Sequence, residues 1–257
     1  MEKNYALKNA PLVKILGSGI PPIVLIVALL AFWQISCVVR DIPTWMLARP
    51  TAVGGALASG FGALLPDILS TYANIIIGFA LAVAIGLAVA ILISSFSLLS
   101  SALTPLIIAL CCIPMVTLVP MMMLVLGTGP NVKIIAIIIQ AFPLVNLNSV
   151  VAFLNVSPER LELMQSLKAN RVQSFLYCVF PDGIHGVFTG IRLASIMAMV
   201  TGVSSEIIGG NAGLGSRIIY FINFSKTADA FSCIIYIAVL GIIIYGVISI
   251  IESRVKW

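Results

Sequence analysis

Long apolar runs separated by short polar connections divide this chain into segments. A helix needs about 20 predominantly apolar residues to cross a bilayer. Such runs cover residues 20–39, 73–93, 98–126, 132–154, 186–208 and 230–251. The first run is longer than the apolar part of a secretory signal, and no small-residue cleavage site follows it, so we expect it to be retained as a span. The pattern predicts one all-α domain over residues 1–257, a polytopic bundle of about six transmembrane helices.

Prolines and small residues shape two of these spans. The third span contains Pro105, Pro114 and Pro120, which predict a kinked or broken helix inside the bundle, where neighbours or water can satisfy the freed carbonyl groups. The second span has a small residue at every fourth position: Gly78, Ala82, Gly86 and Ala90. Because small residues let helix backbones approach closely in lipid, we interpret this stripe as a helix-packing surface.

The composition agrees with a membrane protein. Hydrophobic residues make up 61% of the chain and charged residues only 9%, whereas a soluble domain has roughly 45–50% and 25%. That little charge cannot cover a soluble surface, so lipid is the expected surroundings. The net charge of +5 comes from scattered cations that form no stripe along a phosphate backbone, which argues against nucleic acid as a partner. With a single histidine and no CxxC pair, the sequence predicts no metal site.

The distribution of Lys and Arg predicts the orientation, because cytoplasmic connections are enriched in cations. With a cytoplasmic N-terminus, both termini lie inside and the inner side carries eight cations: Lys3, Lys8, Lys14, Arg160, Lys168, Arg171, Arg254 and Lys256. The outer side carries five: Arg40, Arg49, Lys133, Arg217 and Lys226. Arg192, near the inner end of the fifth span, is expected to snorkel to the cytoplasmic face. Asp67 and the other aspartates are expected outside the spans.

The connection between the fourth and fifth spans, residues 155–185, is the longest polar cytoplasmic segment. Ser157 is suited to cap a helix that begins at Pro158. The apolar positions that follow are more than a solvated loop needs. We therefore predict one or two short helices beneath the membrane that offer an apolar face to a partner.

Within this segment the sequence resembles a known family. Glu162-Leu163-Met164, then Lys168, then Pro181 are spaced as in the EAA loop of the membrane subunits of bacterial ATP-driven importers, whose pattern is E-A-A, three residues, G, nine residues and I-x-L-P. Leu163-Met164 replaces the two alanines and Lys168 replaces the glycine. Since lysine enters a left-handed turn less readily than glycine, the sharpness of the turn depends on the conformation of Lys168.

The resemblance extends over about residues 47–219. The segments Leu103-Thr104-Pro105, Ile113-Pro114, Leu126-Gly127-Thr128-Gly129, Ala141-Phe142-Pro143 and Thr189-Gly190-Ile191-Arg192, and Glu206 followed by Gly213-Leu214-Gly215, resemble the branch of ATP-binding cassette importer permeases that serves nitrate, sulfonate, taurine and bicarbonate. This resemblance also extends to transporters for thiamine precursors and riboflavin. It implies a bacterial inner-membrane permease that works as a homodimer with two cytoplasmic ATPases and an extracytoplasmic solute-binding protein.

The resemblance also assigns residue roles. The residues expected to couple the loop to the ATPase are Glu162, Leu163, Met164, Ser166, Leu167, Lys168, Ala169, Asn170, Arg171 and Pro181. No G-x-x-x-x-G-K-[ST] motif occurs in the chain, so we expect ATP and Mg to be bound by the partner ATPase, with no cofactor in this chain. From the residues themselves, polar groups inside the spans and the broken third span give the candidates for the translocation path: Pro114, Met115, Pro120, Met121, Gln140, Asn148, Ser205 and Glu206. For the amides of Gln140 and Asn148, interhelical hydrogen bonding is the favoured alternative. For Glu206, near the outer end of the fifth span, the other roles are bracing of the Gly213-Leu214-Gly215 turn, which we favour, and contact with the solute-binding protein.

Two other function classes compete with this prediction. An ATP-independent secondary transporter or channel would favour ionisable residues deep in the spans and paired broken helices from an inverted repeat. An intramembrane enzyme would need a Ser/His, paired-Asp or metal constellation. The sequence shows none of these patterns, so the importer permease is the main hypothesis and the chain itself is predicted not to be an enzyme.

Overall fold

The computed structural model describes the backbone of residues 20–255 and the side chains of residues 23–96 and 98–255. The predicted cytoplasmic cations Lys3, Lys8, Lys14 and Lys256 lie outside the described residues. The described chain is helical: α1 (Ile20–Val39), α2 (Pro50–Ser95), α3 (Ser97–Cys112), α4 (Met115–Leu126), α5 (Pro130–Leu154), α6 (Pro158–Ser166), α7 (Arg171–Ser174), a π-helical turn (Phe175–Val179), α8 (Phe180–Gly209), α9 (Leu214–Asn223) and α10 (Thr227–Arg254).

Four helices of the described chain are long and apolar enough to cross a membrane: α2, α5, the continuous helix Arg171–Gly209 and α10. A fifth candidate is the pair α3 and α4, which are bent by 95° at a short break. Ile23–Val39, over the predicted first span, is a shorter apolar helix. The break lies at Ile113 and Pro114, whereas Pro105 and Pro120 lie inside α3 and α4.

The helix over the second predicted span is much longer than the apolar run. The sequence pattern places its start near residue 73, but α2 begins at Pro50 and continues for 46 residues. Asp67 and Thr71 interrupt the apolar pattern, yet both side chains are buried in the protein. Asp67, predicted to lie outside the spans, therefore lies within the long helix α2, where its carboxylate faces protein partners.

The chain divides into two compact units. One contains the described residues up to Phe61 together with Phe221–Ser232, and the other contains Gly62–Tyr220 together with the described residues from Cys233 onward. In the first unit the rings of Trp33 and Phe231 lie 5.3 Å apart. The second unit holds every residue predicted for coupling, path or packing.

In the second unit, α5 packs closely against α2 and α8. A Cβ atom at Gly86 of α2 would lie only 2.7 Å from the carbonyl oxygen of Phe142, and one at Gly190 of α8 would lie 2.9 Å from the Cβ of Asn148. Gly78 lies similarly close to Ile137 of α5. Ala82 and Ala90, the other small residues of the α2 stripe, are fully buried. Small side chains thus allow the three backbones to approach one another without a gap that lipid would fill.

Candidate functional site

The 155–185 loop folds as a helical hairpin whose first arm is α6. Ser157 occupies the N-cap position, but its side chain makes no capping hydrogen bond to the described residues, and Pro158 begins the helix. The expectation that Ser157 caps α6 through its hydroxyl is therefore wrong. Every side chain of α6 is at least partly exposed. Two leucines are the most prominent: Leu163 is 60% exposed, and Leu167, just after the helix, is 67% exposed.

A tight turn follows α6, and Lys168 adopts the left-handed conformation with φ of +52°. The amide of Ala169 donates to the carbonyl of Met164 at 3.0 Å, and the amide of Lys168 donates to that of Gln165 at 2.8 Å. These two bonds form a Schellman motif, the usual way to end a helix at a left-handed residue. The sharp turn therefore forms although lysine occupies the position of the family's glycine.

The next helix begins at once with a capping box. The Asn170 side chain accepts from the Gln173 amide at 2.8 Å, while the Gln173 side chain accepts from the Asn170 amide at 2.9 Å. Arg171 is the first residue of this helix and is exposed. The turn and the capping box together fix the angle between the two arms, because they satisfy the backbone groups at both helix ends.

The second arm is continuous with α8 and is anchored in the core. Its π-helical turn immediately precedes Phe180 and Pro181, where proline removes one helical amide donor. The ring of Phe153, near the end of α5, lies 5.3 Å from that of Phe175 and 6.1 Å from that of Phe180. Gly183 sits directly against Phe153, since a Cβ there would lie 2.8 Å from its ring.

An ion pair connects the two arms at the end opposite the turn. The Arg160 guanidinium of α6 donates to the Asp182 carboxylate of α8. Between the ion pair and the turn lies an open groove of about 480 Å³. The groove is lined by Arg160, Leu163, Met164, Tyr177, Cys178, Pro181, Asp182 and His185. The predicted coupling residues are thus distributed along one hairpin, with Pro181 at the base of its second arm.

The predicted path residues occupy different environments. Pro114 stands at the break between α3 and α4; Met115 is buried, whereas Pro120 is exposed and Met121 is 61% exposed. These residues share the short helix after the break.

The two amides predicted on the fourth span also differ. The buried Oε1 of Gln140 makes no hydrogen bond to any described residue. Asn148 donates to the carbonyl of Leu144 in its own helix at 2.8 Å. Gln140 Oε1 and Asn146 Oδ1 are therefore the two buried amide oxygens of α5 that have no hydrogen-bond partner among the described residues.

Glu206 lies in a buried polar cluster that the sequence did not predict. One carboxylate oxygen accepts from the Thr71 hydroxyl at 2.8 Å and from the Gly215 amide at 3.0 Å. The other lies 3.4 Å from the Lys133 ammonium, which also donates to the carbonyl of Ala212 at 2.6 Å. The neighbouring Ser205 is fully buried and donates to the carbonyl of Gly202 within α8. We call Asp67, Thr71, Lys133, Glu206 and Arg217 the Glu206 cluster.

The Glu206 cluster holds the N-terminus of α9. The first amides of this region all donate to side chains: Gly213 to Asp67 at 3.0 Å, Leu214 to Thr71 at 2.8 Å, and Gly215 to Glu206. Arg217 donates to the second oxygen of Asp67 at 2.6 Å. Amides at a helix N-terminus have no intrahelical partner and favour negative charge, so two carboxylates stabilise this end of α9.

Lys133 differs from the interpretation of the sequence. The sequence places it among the cations of an outer connection, but only 3% of the residue is exposed and it pairs with Glu206. For Asp67 and Thr71 the i, i+4 spacing is a usable signal, since it places both on one helix face. The sequence did not identify their partners.

Arg192 also has a different environment from the one predicted. Its guanidinium pairs with the carboxylate of Glu252 in α10. His185 Nδ1 lies 3.8 Å from the other oxygen of Glu252. The expectation that Arg192 snorkels to the cytoplasmic face stays a prediction, and the structure adds a contact between α8 and α10.

Comparison with known proteins identifies the family. The family described as the binding-protein-dependent transport system inner membrane component matches residues 78–257. The chain belongs to this family. The nitrate import permease protein NrtB of Synechocystis sp. is 26% identical over 247 residues, covering 92% of this chain and 89% of that protein. The riboflavin transport system permease protein RibX of Chloroflexus aurantiacus is 29% identical over 244 residues, covering 93% and 90%.

Solved structures show the same fold. An inward-facing structure of the MetNI methionine ABC transporter matches with a TM-score of 0.67 at 16% identity, covering 76% of this chain and 96% of that chain. An amino acid ABC transporter with histidines matches with a TM-score of 0.59 at 19% identity, covering 77% and 96%. The predicted all-α importer-permease fold is confirmed. As a member of this family, the chain is the multi-pass inner-membrane permease subunit of an ABC importer, and the comparisons do not support a secondary transporter or channel.

Proposed function

We propose that two copies of this chain form the translocation path of an importer driven by two copies of a separate ATPase. A solute-binding protein delivers the solute on the outer side, and both termini of the chain face the cytoplasm. ATP and Mg bind to the ATPase, because this chain carries no motif that cradles phosphates. Family membership and the excess of cations on the predicted inner side support this proposal.

The observation that carries the proposal is the apolar surface of α6. Leu163 and Leu167 are exposed on a short hairpin arm whose direction is fixed by the Lys168 turn. Exposed leucines on a rigid helix are typical of a helix that inserts into a groove of a partner. We assign that groove to the ATPase, with Glu162 and Arg171 as polar contacts at its edge.

The test is retention of the ATPase by the permease. Leu167→Asp places a charge in the apolar contact, so we expect the amount of ATPase that co-purifies with the permease to fall about tenfold or more. Gln165→Asp is the matched control, because it adds the same charge to an exposed position two residues earlier in the same hairpin arm. If the Leu167→Asp permease retains a normal amount of ATPase, α6 is not the docking helix.

We place the path beside the break between α3 and α4. The exposed face of α4 carries Pro120 and Met121, and Gln140 on α5 has an amide oxygen free for hydrogen bonding. Amide and thioether groups can contact a solute without holding a charge in the membrane. Ser205 and Glu206 are buried within one chain, which supports a bracing role for them.

The solute is a small anion of the nitrate, sulfonate or taurine class, or a vitamin precursor such as riboflavin or a thiamine pyrimidine. Relatives named for nitrate, riboflavin and formylaminopyrimidine transport support both classes. Uptake of labelled nitrate, taurine, riboflavin and formylaminopyrimidine by cells that express the complete importer decides between them.

A further inference from the structure

The α6 hairpin is closed at both ends but open between them. At one end the Lys168 turn joins α6 to the second arm, and at the other end Arg160 pairs with Asp182. The groove of about 480 Å³ separates the arms along their middle. Among the described residues, the ion pair is therefore the side-chain polar connection between α6 and the long helix.

Asp182 lies where the long helix is fixed to the core. The next residue, Gly183, sits against Phe153 of α5, and Phe180 packs on the same ring. A displacement of Arg160 would therefore move Asp182, and the residue after Asp182 already forms the close contact between α5 and α8. The backbone connection at the other end leads through exposed residues, Asn170 and Arg171, before it reaches that contact.

We propose that the Arg160–Asp182 pair is a transmission strut, which carries the movement of the docked α6 to α5 and α8. The proposal rests on the docking of α6 to the ATPase proposed above. Arg160 and Asp182 are positioning residues: they do not hold the ATPase or the solute, but they keep α6 and the base of α8 moving together. Arginine suits this role because its planar fork gives a directional bond to a carboxylate.

The test separates ATPase binding from energy coupling. Permease–ATPase complexes are reconstituted in proteoliposomes with Arg160→Gln, Asp182→Asn or the charge-swapped pair Arg160→Asp with Asp182→Arg. ATP hydrolysis is measured with and without the solute-binding protein of the same importer, as purified from its host. Glu159→Gln and Arg254→Gln are the matched controls, since both remove an exposed charge of the same type elsewhere.

We expect each single variant to retain the ATPase and its basal hydrolysis, while stimulation by the binding protein falls about fivefold or more. The charge-swapped pair should recover about half of the wild-type stimulation or more, because it restores the attraction with opposite polarity. A purely structural role would not give this recovery. Normal stimulation in both single variants, no recovery in the swapped pair, or loss of the ATPase from the single variants would each overturn the strut.

These outcomes are independent of the docking test. If Leu167→Asp retains the ATPase, the docking proposal fails whatever the strut variants do. If Leu167→Asp releases the ATPase while the strut variants hydrolyse and respond normally, docking stands and the strut fails.

Discussion

The Lys133–Glu206 pair and the Arg160–Asp182 pair each join a base to an acid, but their surroundings differ. The side chains of Lys133 and Glu206 are 4% and 1% exposed, whereas those of Arg160 and Asp182 are 60% and 27% exposed. Removal of one partner from a buried pair typically costs about 3–5 kcal/mol, because the other charge is left without compensation. An exposed pair contributes about 0–1 kcal/mol. The first pair therefore stabilises the fold, while loss of the second should leave the fold intact.

The two pairs also differ in the number of helices that they and their neighbours join. The Glu206 cluster ties α2, α5, α8 and α9 together through hydrogen bonds that also satisfy the first amides of α9. Among the described residues, the ion pair of the loop joins α6 to one helix, the helix that follows it. In a rigid-body switch each region moves as a unit. The Glu206 cluster holds four helices as one unit, and the α6 hairpin is the smaller region that a docked partner can displace.

The largest expected effect comes from breaking the buried pair. Lys133→Met and Glu206→Gln should each lower the free energy of unfolding by about 3–5 kcal/mol, since each leaves a buried polar group without its charged partner. The double variant should lose less than the sum of the two, because neither charge is then left alone. The measurement is the thermal unfolding midpoint of the purified complex in detergent.

Lys226→Met is the control for this comparison, because it removes an exposed lysine and should shift the midpoint little. Additive losses in the double variant would mean that Lys133 and Glu206 do not act as a pair.

A smaller effect is expected from crowding the cluster without changing its charges. Gly213 has φ of +109°, and a Cβ there would overlap the Glu206 carboxylate. Gly127 has φ of +77°, but a Cβ there would have no described atom within 4 Å. Both alanine variants carry backbone strain of about 1–3 kcal/mol, and only Gly213→Ala also displaces Glu206.

The midpoint of Gly213→Ala should therefore fall further than that of Gly127→Ala, and exchange of the α9 amides should become faster only in the former. Equal losses in the two variants would show that the carboxylate can move aside freely, contrary to a rigid cluster.

The sequence predicts features that depend on residues close together in the chain, but not those that depend on residues far apart. The spans and the α6 turn depend on neighbouring residues, so apolar runs and the spacing from Glu162 to Pro181 locate them. Even the exception at Lys168 is local: the hydrogen bonds of the turn favour the left-handed conformation despite the side chain.

The Glu206 cluster depends on long-range contacts. Glu206 is 73 residues from Lys133 and 135 residues from Thr71 in sequence. A lone Lys133 or Asp67 in a sequence indicates a membrane boundary by default, because an unpaired charge avoids lipid. Only the packing of α2, α5 and α8 shows that each charge has a partner. For the same reason the pairing of Arg192 with Glu252 could not be predicted.

The smallest expected effect concerns the turn that directs α6. Lys168→Gly removes the side-chain strain of a left-handed residue, offset in part by the greater freedom of glycine in the unfolded chain, so the hairpin should gain about 0.5–1 kcal/mol. Gln165→Gly is the opposite control, since glycine inside a helix loses about 1 kcal/mol. Hydrogen exchange of the α6 amides after Pro158 should slow in the first variant and accelerate in the second, while exchange around the Glu206 cluster stays unchanged in both. Because the α6 hairpin touches the core through few contacts, its local stability can change without affecting the cluster; a change at both sites in either variant would show that the two regions are one cooperative unit.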